Sequence, residues 1–323
     1  MTTRRHFIRL AAGALAAPTL PGVAAAQAYP SRTIKTVIPF TAGSSSDIVG
    51  RIVMDGLSAR LGVNIVIENR GGAGGSIGAA QVARAEPDGY TLLAHSSAHS
   101  AAPAAFPNIN YDPAADFTGV AMFGTVPNVM IVSPSKGFAS VNDLVARGKD
   151  GKLTFSSAGV ASATHWAAER FLLSAGFKAT HVPFRGGPEA ITEVMTGRVD
   201  FTCMGISSAM PFIRNKQVVP LAVSTPKRST ALPDVPTTLE LGFKDSDYSF
   251  WMGLLVHAKT PRPIVERLRA ETLKVLEAPD TIERLKPQGL EPMPLTIEEF
   301  NALIRREVEA NKALVKAAGL KFG

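Results

Sequence analysis

Thr41, Ala42, Gly43, Ser44, Ser45 and Ser46 form an unbroken run of small or hydroxyl residues between the apolar stretch "TVIPF" and Asp47. The plan recurs further on in "LTFSSAGVASATHWAAERF", where Ser156, Ser157, Gly159, Ser162 and Thr164 separate an apolar run from an amphipathic one. Residues this small let the backbone come close to whatever lies above it. The first N–H groups of a helix have no partner inside the helix, and its N-terminus carries about half a positive charge. A strand, a small-residue turn and a helix start therefore outline a place to hold an anion. Ser44 with Asp47 three residues on has the spacing of a capping box, Asp standing for the usual Glu. One such start is explained by capping alone. Two in one chain are what point to a ligand. Each dipole contributes about 0.3–2 kcal/mol, whereas micromolar binding needs about 8 kcal/mol. Hydrogen bonds from amides and hydroxyls, with burial, must supply the rest.

Three further junctions share the pattern. "LLAHSSAHSAAP" ends a strand with Ser97 and His99, read here as strand end and loop. "VPFRGGPEAI" ends another at Phe184, Arg185 and Gly186, with Pro188 suited to a helix start. "CMGISSAM" ends a third at Gly205–Ser208. Arg185 could pair with a ligand carboxylate or simply be solvated, and Arg51 is placed to pair with Asp47 at i, i+4. His165 falls in a first helical turn, where a local hydrogen bond is expected.

The alternatives that need catalysis fit poorly. "GGSIG", residues 74–78, matches G-x-S-x-G, but the preceding strand ends near Asn69, too far from Ser76 for a nucleophile elbow. The same glycines fail as a dinucleotide fingerprint because Ile77 stands where glycine is needed. His95 and His99 lack a Glu-x-x-His companion, so no metal and no cofactor is expected. Cys203 is the only cysteine, which excludes an intramolecular disulfide, and its apolar setting "VDFTCMG" reads as a buried, inert thiol.

The elements that must position these residues alternate. Strands are expected at "TIKTVIPF", "NIVIENR" and "TLLAHSS", with helices between them, the first beginning about Asp47 with Ile48, Ile52, Val53, Leu57 and Leu61 on one side. "TGVAMFGTVPNVMIVSP" is extended and longer than an ordinary strand. Alternation then restarts through "LTFSSAG", "HVPFRGG" and "VDFTCMG", followed by the extended "VVPLAVSTP" and the strand "SFWMGLLVHAKTP". Helices at about 262–277 and 296–318 close the chain. The expected fold class is α/β, with two lobes, each a mainly parallel sheet flanked by helices, joined by two crossing segments. Lobe one takes 29–128 and 226–323, and lobe two takes 129–225. A double crossing makes a hinge, and ligands of open α/β sheets bind beyond the carboxyl ends of the strands.

Residues 1–28 read as a leader. "MTTRRHFIRL" is basic, an Ala/Leu-rich stretch follows, and small residues offer cleavage near Ala26 or Ala28. "TRRHFIR" has the form of a twin-arginine export signal, with a general secretion signal as the other reading. The whole chain of 323 residues carries a formal charge of +7, and three of its arginines lie in this leader. The remaining excess is mild and spread out, with no Lys/Arg run of the kind that binds nucleic acid.

Taken together, "YPSRTIKTVIPFTAGSSSDIVGR", "IENRGGAGGSIGAAQVARAEPDGYTLL", "SSAGVASATHWAAE", "VPFRGGPEAITEVMTGRVDF" and "LAVSTPKRSTALPDVPTTLELGF" resemble the tripartite tricarboxylate transporter substrate-binding proteins, also called the Bordetella uptake gene family. The resemblance spans the mature chain. It implies a periplasmic two-lobed binding protein (the type II fold) that closes over a small organic acid and delivers it to a membrane permease. Its ligand loops fall on residues 40–47 and 156–165, where amides and hydroxyls hold a carboxylate. The binding set expected from this is Phe40, Thr41, Ala42, Gly43, Ser44, Ser45, Asp47, Ser97 and His99 from lobe one. Lobe two is expected to add Ser156, Ser157, Ala158, Ala161, Thr164, His165, Phe184, Arg185 and Gly186. Ser44, Ser45, Ser157 and Thr164 are expected to touch the carboxylate. Many relatives have a Pro-Gly-Gly-like run where this chain has Ala42-Gly43-Ser44, and glycine at Ser156 and Ala161. A monomer without catalysis is expected. A sensor presenting its ligand to a membrane signalling protein, or a periplasmic enzyme, are the other readings left open.

Overall fold

The computed structural model describes residues 29–318. The leader, its cleavage point and the last five residues lie outside them. The chain builds β1 (Ile34–Ile38), α1 (Ser45–Leu61), β2 (Ile65–Asn69), α2 (Ser76–Ala83), β3 (Thr91–Ser96), α3 (Ala98–Ala105) and the 16-residue β4 (Phe117–Val132). It continues through α4 (Val141–Gly148), β5 (Thr154–Ser157), α5 (Ala163–Ala175), β6 (Thr180–Pro183), α6 (Gly187–Met195), β7 (Phe201–Gly205), α7 (Ile206–Arg214) and β8 (Val219–Val223). β9 (Ser249–His257), α8 (Arg262–Glu277), α9 (Pro279–Leu285) and α10 (Ile297–Ala318) complete it.

The strands form two five-strand arrays that share β4, ordered β2-β1-β3-β9-β4 and β6-β5-β7-β4-β8. Each array has four strands running one way and one reversed strand, β9 in the first and β4 in the second. The parallel neighbours are joined through helices, as parallel pairing requires. Both arrays are covered on both faces. Leu92 and Leu254 enter one core cluster with Leu57 and Leu268, while Leu93 and Leu255 enter another with Phe300 and Val82. In the second array Val129 and Ile131 face Ile191, while Met130 and Val132 face Phe155 and Phe171. This is the two-residue period of a strand applied to a sandwiched sheet. Cys203 is buried in the second array, and burial pushes its thiol up to about 12.

The chain changes lobe within a strand: Pro127 still pairs with Ser249 of β9, and Asn128 already pairs with Gly205 of β7. The return passes beside it. The Ser224 N–H donates to the Asn128 carbonyl at 2.8 Å and the Tyr248 N–H to the Ser224 carbonyl at 2.6 Å. The sequence boundary near 225 marks the end of β8, and parts of the segment that follows it pack on lobe two. Phe243 packs edge-on against Phe171, and Ser174 Oγ donates to the Lys244 carbonyl. Three prolines and no periodicity hide this excursion in the sequence. The region expected as strand end and loop after β3 is also different. It folds into α3, whose alanines favour helix over loop.

α10 fastens lobe one. Phe300 meets Trp251 edge-on at 5.0 Å, and Glu307 Oε2 accepts from Trp251 Nε1 at 2.8 Å. Ser100 Oγ lies within hydrogen-bond reach of both the Ser97 carbonyl and Glu307 Oε2, two acceptors that share its one hydrogen. Burial raises the Glu307 carboxyl above its ordinary value. A carboxyl raised on folding stabilises fully below its ordinary pKa and loses that contribution as pH rises through the raised one. Glu307→Gln, whose amide oxygen can accept from both Trp251 and Ser100 without titrating, is therefore expected to gain on wild type as pH rises from 4 to 8, measured as the urea midpoint. Among the described residues, no helix is long and apolar enough to cross a membrane.

Candidate functional site

The β1–α1 turn is rigid before any ligand arrives. Ser44 caps α1 by accepting from the Asp47 N–H at 3.3 Å, and Asp47 returns the bond by accepting from the Gly43 N–H at 2.9 Å. Asp47 also accepts from Arg51 Nε at 2.9 Å and Asn69 Nδ2 at 2.8 Å. Its three donors leave this carboxylate to hold the turn. Asp47→Ala is expected to cost about 1–2 kcal/mol of unfolding free energy, since it removes the acceptor shared by the Gly43 amide, Arg51 and Asn69. Urea denaturation checks it.

The β5–α5 turn is fixed in the same manner. Ser162 caps α5 by accepting from the His165 N–H. Thr164 Oγ1 accepts from the Ala158 N–H at 2.9 Å, which leaves its hydrogen for Ser162 Oγ at 2.9 Å.

The two turns face each other. A cavity of about 30 Å³ lies between the lobes, lined by Phe40, Ser44, Ser45, Ser46, Ser96, Ala158, Ser162, Ala163, Thr164, Gly187, Met204, Gly205, Ser208 and Phe250. First-turn residues of four helices, α1, α5, α6 and α7, meet in it. Seven of the lining side chains carry a hydroxyl and none carries a charge. The positive potential comes from helix N-termini, about half a charge each, and the hydroxyls supply donors. Phe40, Met204 and Phe250 form an apolar side that lowers the local dielectric and strengthens those interactions. Such a chamber suits an anion with a compact apolar body. It offers no base and no nucleophile set apart from capped serines.

The lobes are shut around this space, which has room for about two waters. Ser45 Oγ and Ser208 Oγ lie 3.1 Å apart, and Ser208 Oγ donates to the Gly43 carbonyl at 3.1 Å. The backbones themselves touch on the rim. A Cβ on Gly186 would stand 1.8 Å from Thr41 Oγ1, and one on Gly74 would stand 2.1 Å from the Val160 carbonyl oxygen.

Of the residues that the sequence nominates, Phe40, Ser44, Ser45, Ala158 and Thr164 line the cavity. Thr41 and Gly186 meet across the rim, the Thr41 hydroxyl buried without a hydrogen-bond partner. Ala42 and Gly43 are exposed. Ser97 bonds Tyr248 at 3.1 Å, and Ser156 donates to the Ala190 carbonyl. His99 is turned away on α3, bonded to the Pro113 carbonyl at 3.0 Å and packed on Phe117, and burial holds its imidazole down at about 4. Ser157 bonds His181, Ala161 bonds His165, and both sit behind the lining. Phe184 and Arg185 belong to an outer groove with Gly72–Gly74, Val160 and Glu189, not to the cavity. The pattern that marked Ser162 and the Gly205–Ser208 turn as rim was a sufficient signal for them. Ser46, Ala163 and Gly187 adjoin nominated residues. Ser96 lies in the marked strand end at residues 95–100, whereas Met204 and Phe250 carry no local signal, because strand pairing brings them in.

Residues 49–320 match the family described as "Tripartite tricarboxylate transporter family receptor". The chain belongs to that family. This receptor superposes on the periplasmic binding protein BugD with a TM-score of 0.87 at 31% identity, covering 91% of this chain and 99% of that one. It is also similar to Rpa4515 of R. palustris, solved with adipate (TM-score 0.87, 29% identity, 91% and 99% covered). MatC from Rhodopseudomonas palustris, with bound malate, matches at TM-score 0.83 and 31% identity over 89% of this chain and 100% of that one. The two-lobed periplasmic-binding-protein fold is thus shared throughout, and the receptor stands in a family of periplasmic solute-binding proteins.

Proposed function

We propose that this receptor captures a small organic acid between its lobes in the periplasm and delivers it to the permease of a tripartite tricarboxylate-type transporter. The observation that carries the reading is the meeting of four helix N-termini and seven hydroxyls in a cavity without a charged side chain. In this reading the carboxylate sits against the first turns of α1 and α5, with the hydroxyls of Ser44 and Ser162 donating. The acids bound by the two R. palustris neighbours support the same ligand class. The receptor works as a monomer, makes and breaks no covalent bond, and reaches its compartment after loss of the leader.

A thermal-shift screen of mono-, di- and tricarboxylates against neutral sugars tests the ligand class. An acid at about 100 times its Kd adds about 2.7 kcal/mol of stability. A transition moved by sugars and by no organic acid would sink the reading.

A further inference from the structure

We propose that His165 and His181 form a proton-sensitive lock on the ligand loop of lobe two, so that acidification releases residues 158–162 from the cavity wall. Neither ring lines the cavity. His165 on α5 and His181 on β6 stack with centroids 3.9 Å apart and planes 9° from parallel, and Phe155 stacks on His181 from β5 at 4.7 Å. Each ring holds one end of the loop. His181 Nε2 lies 2.7 Å from Ser157 Oγ, which in turn donates to the Gly159 carbonyl. His165 Nδ1 accepts from the Ala161 N–H at 3.2 Å.

The second bond fixes the chemistry. Nδ1 accepts only while it carries no hydrogen. Protonating His165 places a hydrogen there and turns the acceptor into a donor facing the Ala161 N–H. Ala161 stands at φ 62°, a left-handed conformation that an L-residue keeps only when its surroundings hold it. Losing the bond therefore frees a residue already set to relax. The ring's other nitrogen, Nε2, lies 3.5 Å from Glu169 Oε1, so a carboxylate waits to stabilise the cation once it forms. Glu169 is a charged group facing the pair. β5 contributes Phe155 and Ser157, and β6 contributes His181 itself. Two stacked rings cannot both be cationic at this distance, which ties their protonation to separation.

Burial and the neighbouring His165 hold the His181 imidazole down at about 3. Released, it returns to an ordinary value of about 6.5, which makes opening roughly thirty-fold easier at pH 5 than at pH 7.5. Because Ala158, Ser162 and Thr164 belong to the cavity wall, opening lowers affinity for whatever the cavity holds.

The test needs no ligand, so its failure is separate from failure of the carboxylate reading. Hydrogen exchange of the 157–165 amides, corrected for intrinsic rate, is measured at pH 7.5 and pH 5 on the full mature chain. Wild type is expected to lose protection there roughly thirty-fold while the strands of both sheets keep theirs. His165→Gln with His181→Phe, which retains an acceptor for Ala161 and an aromatic stack, is expected to show no such pH step. Should the pair fail to fold, wild-type NMR decides: ring and Ala161 amide signals should titrate together. Unchanged loop protection at pH 5, rings that titrate without moving the loop amides, or an undiminished step in the double variant would overturn the lock.

Discussion

Ser162→Asp is expected to abolish capture of a carboxylate while leaving the receptor folded and at least as heat-resistant as wild type. Aspartate is as good an N-cap as serine. Its carboxylate would keep the His165 N–H and Thr164 hydroxyl bonds that Ser162 now makes. It would also sit at the positive end of α5, worth about 0.3–2 kcal/mol. The same charge faces the place proposed for the ligand. Two carboxylates 4 Å apart repel by about 4 kcal/mol at an effective dielectric of 20, about a thousandfold in Kd. Calorimetry with the acid found by the screen reads the loss, and scanning calorimetry reads the Tm. Retained binding would mean that the ligand's charge lies elsewhere than at the α5 start.

Gly186→Ala is expected to weaken binding about 10- to 100-fold without harming the lobes, because it acts on closure alone. Gly186 has φ −174°, extended backbone that alanine adopts without strain. The added Cβ meets nothing of its own lobe so close as Thr41 of the other, whose Oγ1 would be 1.8 Å away and Cβ 2.9 Å away. Overpacking of this kind costs about 1–3 kcal/mol, and here only the shut state bears it. Small-angle scattering should show a larger radius of gyration with ligand present than wild type has. Adding Thr41→Gly removes the opposing side chain and should restore both size and affinity. A variant that binds and compacts like wild type would show that the lobes need not approach this closely.

Much of this geometry was legible locally. Ser44 and Asp47 announce the α1 start three residues apart, and the "SSAGVASATH" turn announces α5. The long strand across both lobes showed itself as an extended run too long for one sheet. What was not legible depends on pairing at a distance. Phe250 enters the cavity because β9 lies beside both β3 and β4, and no local pattern says so. His99 looked available because its segment reads as loop, whereas α3 turns it against Phe117. Asp47 carries the right chemistry for a site, but its turn consumes all of it.

The arrangement of β4 and β9 also sets the order in which the molecule can be completed as it leaves the ribosome or refolds. Every strand of the second array has been made by Val223, and its covering excursion by Tyr248. The first array still has a gap between β3 and β4 that only β9, residues 249–257, can fill. A nascent chain stopped short of residue 249 would thus hold one finished half and one half with exposed, unpaired edges, and edges of that kind invite aggregation. The later-made half is therefore the one for which chaperone protection during synthesis matters most.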